Sequence, residues 1–414
     1  MKPTIHFYSD CPFFAGCENM LVNFFSDPQI REDFEVSFSF RYSPEYSKGF
    51  QSRVQNAPRS IPLELLDVDA QLARICLRPA RIAVRLVSDL LLIKYLFLLL
   101  NTMHLVKVFR GQRIDVLHIN NGGYPGAYSC TAAVFAAHKI GIRNIVYVVN
   151  NIATPYTSYW RWLDWPLDRL VRRAVTQFVT GSEHARNRLA AVLQLKKGKA
   201  VNIPNGIAVR PVTEAPDEYL ARLGLRHDRL IVGVVALLEW RKGHLILLQA
   251  MNSIRQQFGA DAVPILLIEG DGPMSKRLRR YVRDTDLDAY VRFIGREAKV
   301  FNLLNTVDIV VLPSLCQEDF PNVTLEAMSL GKPVIGTRLS GIPEQIDDGV
   351  TGLIVTPGDV AELAAAIYKL MSTPELRHSM ADAARQRFNH AYSAPIAVRR
   401  YKDLYRLLLK TTCA

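Results

Sequence analysis

The sequence predicts an α/β protein built of two doubly wound domains, each a parallel sheet with helices on both faces. Short apolar runs rich in β-branched residues alternate with segments of helical length, which is typical of right-handed βαβ units. This series occurs twice along the 414 residues, a length that suits two or three domains. Residues 203–206 read Ile-Pro-Asn-Gly, a strand end followed by turn residues, and they mark the break.

The strand predictions rest on short apolar runs bounded by turn residues. The expected domains are residues 1–208 and 209–393, with a C-terminal helix over residues 394–414 that packs back on the first domain. In the first domain the predicted strands are Thr4–Tyr8, Phe34–Phe40, Ile114–Ile119, Asn144–Val149, Gln177–Thr180 and Ala200–Ile203. In the second they are Leu230–Ala236, Pro264–Glu269, Val291–Ile294, Asp308–Pro313, Pro333–Gly336 and Gly352–Val355.

Positive charge is concentrated in the first half of the chain. The net charge is +12, and residues 1–210 hold 26 Lys and Arg against 15 Asp and Glu, whereas the remainder holds 25 against 24. A basic half suggests nucleic acid, anionic lipid or a polyanionic substrate as partner. The hydrophobic fraction of 49% and charged fraction of 22% exclude a disordered or collagenous chain.

The six cysteines include no C-x-x-C pair, so their spacing indicates neither a zinc site nor a disulfide framework. Free thiols fit a reducing compartment, and the first residues read as a strand rather than as a signal peptide. The longest uncharged apolar run, between Lys94 and Lys107, has 12 residues, and a membrane-spanning helix needs about 20. We therefore expect a cytoplasmic protein without a transmembrane segment.

The most informative segment is residues 318–328, which read Glu-Asp-Phe-Pro-Asn-Val-Thr-Leu-Glu-Ala-Met after a predicted strand. Pro321 suits the first turn of a helix, and the amides of a helix start form an anion site. Glu318 lies in the loop, and Glu326 lies about one turn into the helix. Taken alone, Glu326 also fits an acidic residue favoured by the helix dipole.

This segment resembles the signature of retaining glycosyltransferases of the GT-B fold, in glycosyltransferase family four, which reads Glu-Gly-Phe-Pro-Asn-x-x-x-Glu-Ala-Met. One departure is Asp319, where the family usually has Gly. The run from Gly233 to Leu370 resembles the family throughout, and the first half of the chain resembles it less closely. The resemblance implies two Rossmann-like domains that face each other across a cleft, the first binding the acceptor and the second the nucleotide sugar.

On the donor side the resemblance implies that Lys242 holds the departing diphosphate, together with Arg241, because Leu237 stands where the family has an Arg. A cation at a helix start opposes the macrodipole, so a merely solvated charge has little reason to lie there. Glu318 would contact the donor sugar and its developing positive charge, and Glu326 the ribose hydroxyls. The other donor-binding residues implied are Asp319, Phe320, Pro321, Asn322, Val323, Thr324, Leu325, Gly270, Asp271 and Arg296. For Gly270 and Asp271 a purely structural turn remains an alternative.

Four segments of the first half resemble the family's acceptor side or hinge. Residues 14–18 resemble its Gly-Gly-x-Glu loop, residues 115–118 its Asp-x-x-His strand end, and residues 203–208 its hinge, with Ala208 for an Asp. Where the family usually has a His near the donor sugar this chain has two Asn, which cannot carry a proton at neutral pH. A plain turn is the alternative for each segment. The implied acceptor-side residues are Gly16, Glu18, His118, Asn150 and Asn151.

A basic and apolar region runs from Arg74 to Arg113. It holds eight cations and one acid, and Arg74, Arg78, Arg81 and Arg85 recur at helical spacing. An apolar body flanked by cations suits the surface of an anionic membrane, and a core helix with a solvated rim is the alternative. We expect no nucleic-acid binding, because aromatic interleaving and known binding motifs are absent from the sequence.

These features predict a retaining hexosyltransferase that uses a nucleotide-diphosphate sugar, by default a UDP-sugar, without a cofactor or metal. The D-x-D pattern at Asp67 and Asp69 precedes a helix and reads as an N-cap rather than as a metal site. The expected acceptor is a lipid-linked saccharide at the inner face of a bacterial plasma membrane, in surface polysaccharide synthesis. The alternatives are a soluble acceptor, an inactive sugar-nucleotide-binding or scaffold subunit, and a sugar-nucleotide epimerase of the same fold.

Overall fold

The structure is a computed structural model that describes residues 2–413, apart from residues 12, 15, 55, 74, 227 and 298, and describes residues 412 and 413 without their side chains. It divides into two compact units. The first unit comprises Met1–Pro204 and Ala397–Ala414, and the second comprises Asn205–Ile396. The unit boundaries thus follow residues 204 and 396, whereas the sequence places them after residues 208 and 393.

The first unit contains a seven-stranded parallel sheet with the order β3-β2-β1-β4-β5-β6-β7. Six of these strands overlap the predicted ones. The strand that the sequence did not indicate is β3, a short edge strand that contains Pro62, which edge positions tolerate. The strands are β1 (Thr4–Ser9), β2 (Glu35–Arg41), β3 (Arg59–Leu63), β4 (Val116–Asn121), β5 (Asn144–Val149), β6 (Gln177–Thr180) and β7 (Ala200–Asn202).

Helices cover both faces of this sheet, as the alternation of the sequence predicts. Several begin at capping side chains: Ser43 Oγ accepts from the amide of Tyr46, and Asp67 accepts from the amide of Ala70. The helices of the first unit are α1 (Asn19–Ser26), α2 (Pro28–Asp33), α3 (Pro44–Arg53), α4 (Val68–Ala73), α5 (Arg78–Leu90), α6 (Ile93–Arg110), α7 (Tyr128–Lys139), α8 (Tyr159–Trp162), α9 (Trp165–Ala174) and α10 (Glu183–Leu193).

The second unit contains a six-stranded parallel sheet with the order β10-β9-β8-β11-β12-β13, and each strand overlaps a predicted one. Its strands are β8 (Ile231–Val235), β9 (Ile265–Glu269), β10 (Val291–Gly295), β11 (Ile309–Leu312), β12 (Val334–Thr337) and β13 (Gly352–Val355). Its helices are α11 (Pro216–Arg222), α12 (His244–Phe258), α13 (Ser275–Asp284), α14 (Val300–Thr306), α15 (Asn322–Ser329), α16 (Ile342–Gln345), α17 (Val360–Ser372) and α18 (Pro374–Ala391). The predicted fold class, two doubly wound Rossmann-like domains, is confirmed.

The last helix, α19 (Ala394–Cys413), belongs to the first unit from residue 397 onward. Its Tyr401 and Tyr405 are fully buried in the core of that unit. Lys402 Nζ lies 2.6 Å from Asp33 Oδ2 and donates to the carbonyl of Gln29. Buried aromatic rings and a partly buried ion pair therefore hold the C-terminal helix on the first sheet.

Candidate functional site

In each sheet the strand order reverses between two central strands, and ligands of such sheets bind beyond the carboxyl ends of the strands at that point. In the second unit the reversal lies between β8 and β11. The loops that follow these strands touch: a Cβ on Gly243, which has φ +70°, would lie 1.8 Å from the carbonyl oxygen of Pro313. The amide of Leu315 also donates to the carbonyl of Arg241 at 2.7 Å. Gly243 thus permits the contact between the loops.

The three predicted catalytic residues meet where these loops touch. Lys242 Nζ forms an ion pair with Glu318 Oε2, and both side chains are only 13% exposed. Arg241 Nη1 lies 3.9 Å from the same oxygen. Two further groups, which the sequence did not single out, complete the cluster: Ser314 Oγ donates to Glu318 at 3.4 Å, and Glu239 accepts from Arg241 Nε at 2.7 Å. The cluster is a mixed-charge group that could bind both a phosphate and a sugar hydroxyl.

The segment after Glu318 opens α15, as its sequence predicts. Asn322 and Val323, in the first turn, are half-buried, while Thr324 is fully buried. The side chains of Phe320 and Leu325 pack in the hydrophobic core, so the structure directs them away from a ligand. The backbone at Pro321 is held in place, because its carbonyl oxygen accepts a hydrogen bond from Gln345 Nε2 at 3.0 Å. What this segment presents for binding is chiefly the backbone amides of a helix start.

Asp319 precedes that helix and Glu326 lies one turn into it, and both are buried. Glu326 lies close enough to Glu269, at the end of β9, to raise its pKa. Burial is the largest cause of the raised pKa of Glu269, the neighbouring Glu297 carboxylate adds to it, and Arg296 opposes it. The structure therefore groups Glu326 and Arg296 with Glu269 and Glu297, two acids that the sequence had not indicated.

The loop after β9 contains Gly270 and Asp271, two of the predicted donor-binding residues. Gly270 has φ +127°, and a Cβ there would lie 2.0 Å from the carbonyl oxygen of Ala236, after β8. The exposed Asp271 accepts from the amide of Gly272 at 2.7 Å. The amide of Leu238 donates to the carbonyl of Asp271 at 3.0 Å, which joins the loops after β8 and β9. These contacts support the structural role of Gly270 and Asp271 that the sequence left open.

In the first unit the strand order reverses between β1 and β4, and the buried Glu18 lies there. Its carboxylate accepts from Ser9 Oγ at 2.7 Å, from Asn120 Nδ2 at 3.0 Å and from the hydroxyl of Tyr46. Burial raises the pKa of Glu18, although the hydrogen bonds oppose the shift. Because the side chain is fully buried, it supports the loop from inside and does not itself face a ligand.

Asn150 joins the same cluster, because its Nδ2 donates to Asn120 Oδ1 at 2.7 Å. Asn151 Oδ1 accepts from the amide of Ile152 at 2.8 Å, and Gly16 begins the 3-10 turn that carries Glu18. Among the described contacts, none joins His118 to Glu18 or Asn150. This histidine lies deeper on β4, where its Nδ1 is 2.7 Å from the hydroxyl of Tyr405, and burial lowers its pKa to about 3.

Two cysteines accompany Glu18. The sulfur atoms of Cys11 and Cys17 and a carboxylate oxygen of Glu18 lie within 4.8 Å of one another, which would suit a metal ion in an accessible site. The sequence had indicated no zinc site, because these cysteines are not in a C-x-x-C pair. Glu18 is already engaged by its hydrogen bonds, so the cluster fits a structural role equally well.

The basic region contains α5 and α6. Arg78, Arg81 and Arg85 are exposed on α5, whereas Arg74 lies outside the described residues. The sequence also allowed this region to be a core helix, which requires that its leucines be buried. Leu90 is instead 77% exposed. Among Leu90–Leu100 only Leu98 is buried. None of the helices that the structure describes has both the length and the apolar character to cross a membrane.

Comparison with known proteins agrees with this architecture. Residues 217–387 match the family model of glycosyl transferases group 1, and residues 65–210 match that of glycosyltransferase family 4. Among solved structures, Anabaena HepE in complex with UDP has a TM-score of 0.74 at 18% identity, covering 98% of this chain and 99% of that one. A glycosyltransferase from Rickettsia africae has a TM-score of 0.75 at 16% identity, with coverage of 98% and 99%.

Curated relatives match more locally. The N-acetyl-alpha-D-glucosaminyl L-malate synthase of Bacillus anthracis is 34% identical over 35% of this chain and 38% of its own length. The putative glycosyltransferase EpsF of Bacillus subtilis is 32% identical over 45% and 47%. The amylovoran biosynthesis glycosyltransferase AmsK of Erwinia amylovora is 30% identical over 44% and 46%. The matched region thus spans less than half the length of each of these relatives.

Two doubly wound parallel sheets, with paired cations and a helix start at the reversal point of the second, define a protein of the GT-B class. The chain belongs to the group 1, or family four, glycosyltransferases.

Proposed function

We propose that this chain is a retaining glycosyltransferase that moves a hexosyl group from a nucleotide-diphosphate sugar to a saccharide acceptor. The observation that carries the proposal is the meeting of Lys242, Arg241 and Glu318 beside the start of α15. A departing diphosphate gains negative charge, and fixed cations and amides stabilise such charge most strongly in a partly buried site. In this chain Lys242 and Arg241 supply the cations, and the start of α15 supplies the amides.

Each residue then has a defined part in the reaction. Lys242 and Arg241 stabilise the diphosphate as the bond to the anomeric carbon breaks, and the amides near Val323 and Thr324 assist. Glu318 stabilises the positive charge that develops on the sugar, and Glu326 binds the ribose. The acceptor oxygen attacks from the face that the diphosphate leaves, and a diphosphate oxygen takes its proton. We assign no general base, cofactor or metal to the step.

A UDP-sugar is the default donor. Crystal structures of Anabaena HepE, which has the same fold, contain UDP or UDP-glucose, and this supports a uridine donor as the first to test. Thermal-shift measurements on the intact protein with UDP, GDP and ADP distinguish the nucleobases, because a ligand at a hundredfold excess over its Kd stabilises a protein by about 2.7 kcal/mol. Equal stabilisation by all three would leave the uridine assignment without support.

The proposed acceptor is a lipid-linked saccharide at the inner face of the plasma membrane, in bacterial surface polysaccharide synthesis. Support comes from α5, which presents Arg78, Arg81 and Arg85 together with exposed apolar side chains. The relatives that act in amylovoran and other glycoconjugate synthesis agree with such a role. This helix would hold the protein peripherally on an anionic membrane surface.

A sugar-nucleotide-binding subunit without activity is the second candidate, favoured by Leu237 and Asp319, which depart from the family pattern. Release of the nucleoside diphosphate from a nucleotide sugar distinguishes the two. A binding subunit would be stabilised by UDP yet release none from UDP-glucose, with or without added saccharides. An active transferase would release UDP at a rate that falls sharply in Lys242→Ala.

A further inference from the structure

A second exposed surface of the first unit lies on α8 and the start of α9. Tyr159 is 70% exposed and Trp162 is 56% exposed, and Trp160 and Trp165 are exposed as well. Three of the four tryptophans in the sequence are on this surface, and the fourth is Trp240. Aromatic side chains usually fill cores, so a contiguous exposed group of them marks an interaction surface.

The same segment buries its cation. Arg161, which lies between Trp160 and Trp162 in the sequence, is buried. Its guanidinium is 2.7 Å from Asp168 and 3.5 Å from Asp164. The guanidinium carbon also lies 4.4 Å from the centre of the Tyr156 ring. Burying an arginine requires such partners. The segment therefore turns its charged side chain inward and its aromatic side chains outward, the reverse of the usual arrangement in water.

Asp164 connects this segment to the basic region. It accepts from the hydroxyls of Tyr95 and Tyr128, both at 2.9 Å, and pairs with Lys94 Nζ at 3.1 Å. Lys94 and Tyr95 are in the first turn of α6, immediately after the exposed α5. The aromatic segment consequently lies beside the junction of α5 and α6, where Leu90 is exposed.

We propose that residues 159–165 are a second membrane-contacting element, whose Tyr and Trp side chains enter the interfacial zone of an anionic bilayer beside α5. Trp and Tyr favour this zone because their rings are apolar and their N–H and O–H groups are polar. Cations complement it: Arg169 lies over the Trp165 ring at 4.6 Å, and Arg173 is exposed on the same helix. The inference rests on the membrane association proposed above and extends it to a part of the surface that carries no basic repeat.

The native tryptophans provide a direct measurement. In a Trp240→Phe variant of the full chain, all tryptophan emission comes from residues 160, 162 and 165. We expect vesicles of equal parts phosphatidylglycerol and phosphatidylcholine to shift this emission to the blue, and brominated acyl chains in the same lipids to quench it. Vesicles of phosphatidylcholine alone should do so much less, because the cations then have no counter-charge.

Co-sedimentation with the same vesicles separates the two proposals. If the protein sediments but its emission is neither shifted nor quenched, residues 159–165 do not contact the membrane, while membrane association through α5 stands. If the protein does not sediment at low salt, both are wrong.

A pair of variants tests the energetic contribution. Replacing Trp160 and Trp162 together by Ser should weaken vesicle binding by about tenfold or more, the effect of losing aromatic burial. Thermal unfolding should change much less than vesicle binding, because both side chains are exposed and their ring contacts, with Tyr156 and Tyr159, are local. Trp240→Ser, at an exposed position of the second unit, is the matched control and should bind like the unsubstituted protein. Equal binding by both variants would overturn the inference.

Discussion

At the scale of single residues, the pairing of Lys242 with Glu318 is the feature on which the proposed donor site depends most. Each side chain is largely shielded from water, so each depends on the other for its charge to be tolerated. The nearby Arg241 adds a second cation, and we propose that it takes the place of the Arg that the family carries at the position of Leu237. A diphosphate would meet these cations where the local dielectric constant is low, and its stabilisation there is correspondingly strong.

Replacing Lys242 by Ala should lower kcat by about 10²–10³, because the charge that Lys242 meets grows in the transition state. Replacing Glu326 by Ala should mainly raise KM, because ribose is held equally in the ground and transition states. Steady-state release of UDP from the donor measures both constants. Lys276→Ala, at an exposed position on α13, is the control. An unchanged kcat in Lys242→Ala would remove its role at the diphosphate.

His118 should make the first unit sensitive to acid. Burial lowers its pKa from 6.5 to about 3, so between these pH values the unfolded chain binds a proton that the folded chain excludes. Stability is therefore lost as the pH falls through this window. His118→Gln should reduce the slope of the unfolding free energy by up to about 1.4 kcal/mol per pH unit. Denaturant titrations at several pH values measure this slope. His138→Gln, at an exposed position, is the control. Equal slopes for His118→Gln and the unsubstituted protein would contradict the prediction.

At the scale of elements, the sequence predicted the strands well because they are short, apolar and bounded by turn residues. It missed β3, whose composition is too polar and whose Pro62 is atypical of a strand interior. It also predicted the start of α15, because the residues of that segment themselves indicate a helix start.

The partners of Glu18 could not be predicted, because Tyr46 and Asn120 are 28 and 102 residues away along the chain. Burial of His118 depends likewise on α19, 287 residues away.

Gly243 offers a test of the loop contact that places Lys242. Gly243→Ala would add both a strained positive φ and a clash with the carbonyl of Pro313, at a cost of about 2–5 kcal/mol. Gly224→Ala is the matched control, because Gly224 has φ +68° and nothing near its missing Cβ, so only the strain of about 1–2 kcal/mol applies. Thermal denaturation should show the larger loss for Gly243→Ala, with weaker UDP binding. Equal losses would mean that the contact is unimportant.

At the scale of the whole molecule, the uneven charge is the most general feature. The exposed arginines of α5 lie in the half that carries almost the whole net charge. Each cation near an anionic surface contributes about 1 kcal/mol, and salt screens it. Insertion of apolar side chains is much less sensitive to salt, so binding to anionic vesicles should weaken at high salt without vanishing.

Replacing Arg78, Arg81 and Arg85 by Glu should abolish most of the vesicle binding and leave the core of the first unit folded, because these side chains are exposed and the contacts described for them, with Asp69, Ile75 and Asp89, are local. Co-sedimentation with anionic vesicles measures the binding. Glu substitutions at Lys276, Arg277 and Arg283, exposed on α13 of the second unit, change the net charge equally and should have little effect. Equal losses in the two triple variants would show that overall charge alone, and not this helix, drives binding.

The proposed reaction depends most on fixed cations and a helix start, rather than a metal ion, to stabilise the departing diphosphate. The direct measurement is the release of UDP from UDP-sugars by the intact chain in excess EDTA, beside Lys242→Ala under the same conditions. We predict that release continues at an unchanged rate in EDTA and falls by about 10²–10³ in the variant. Complete loss of release in EDTA that Mn²⁺ or Mg²⁺ restores would contradict this metal-independent mechanism.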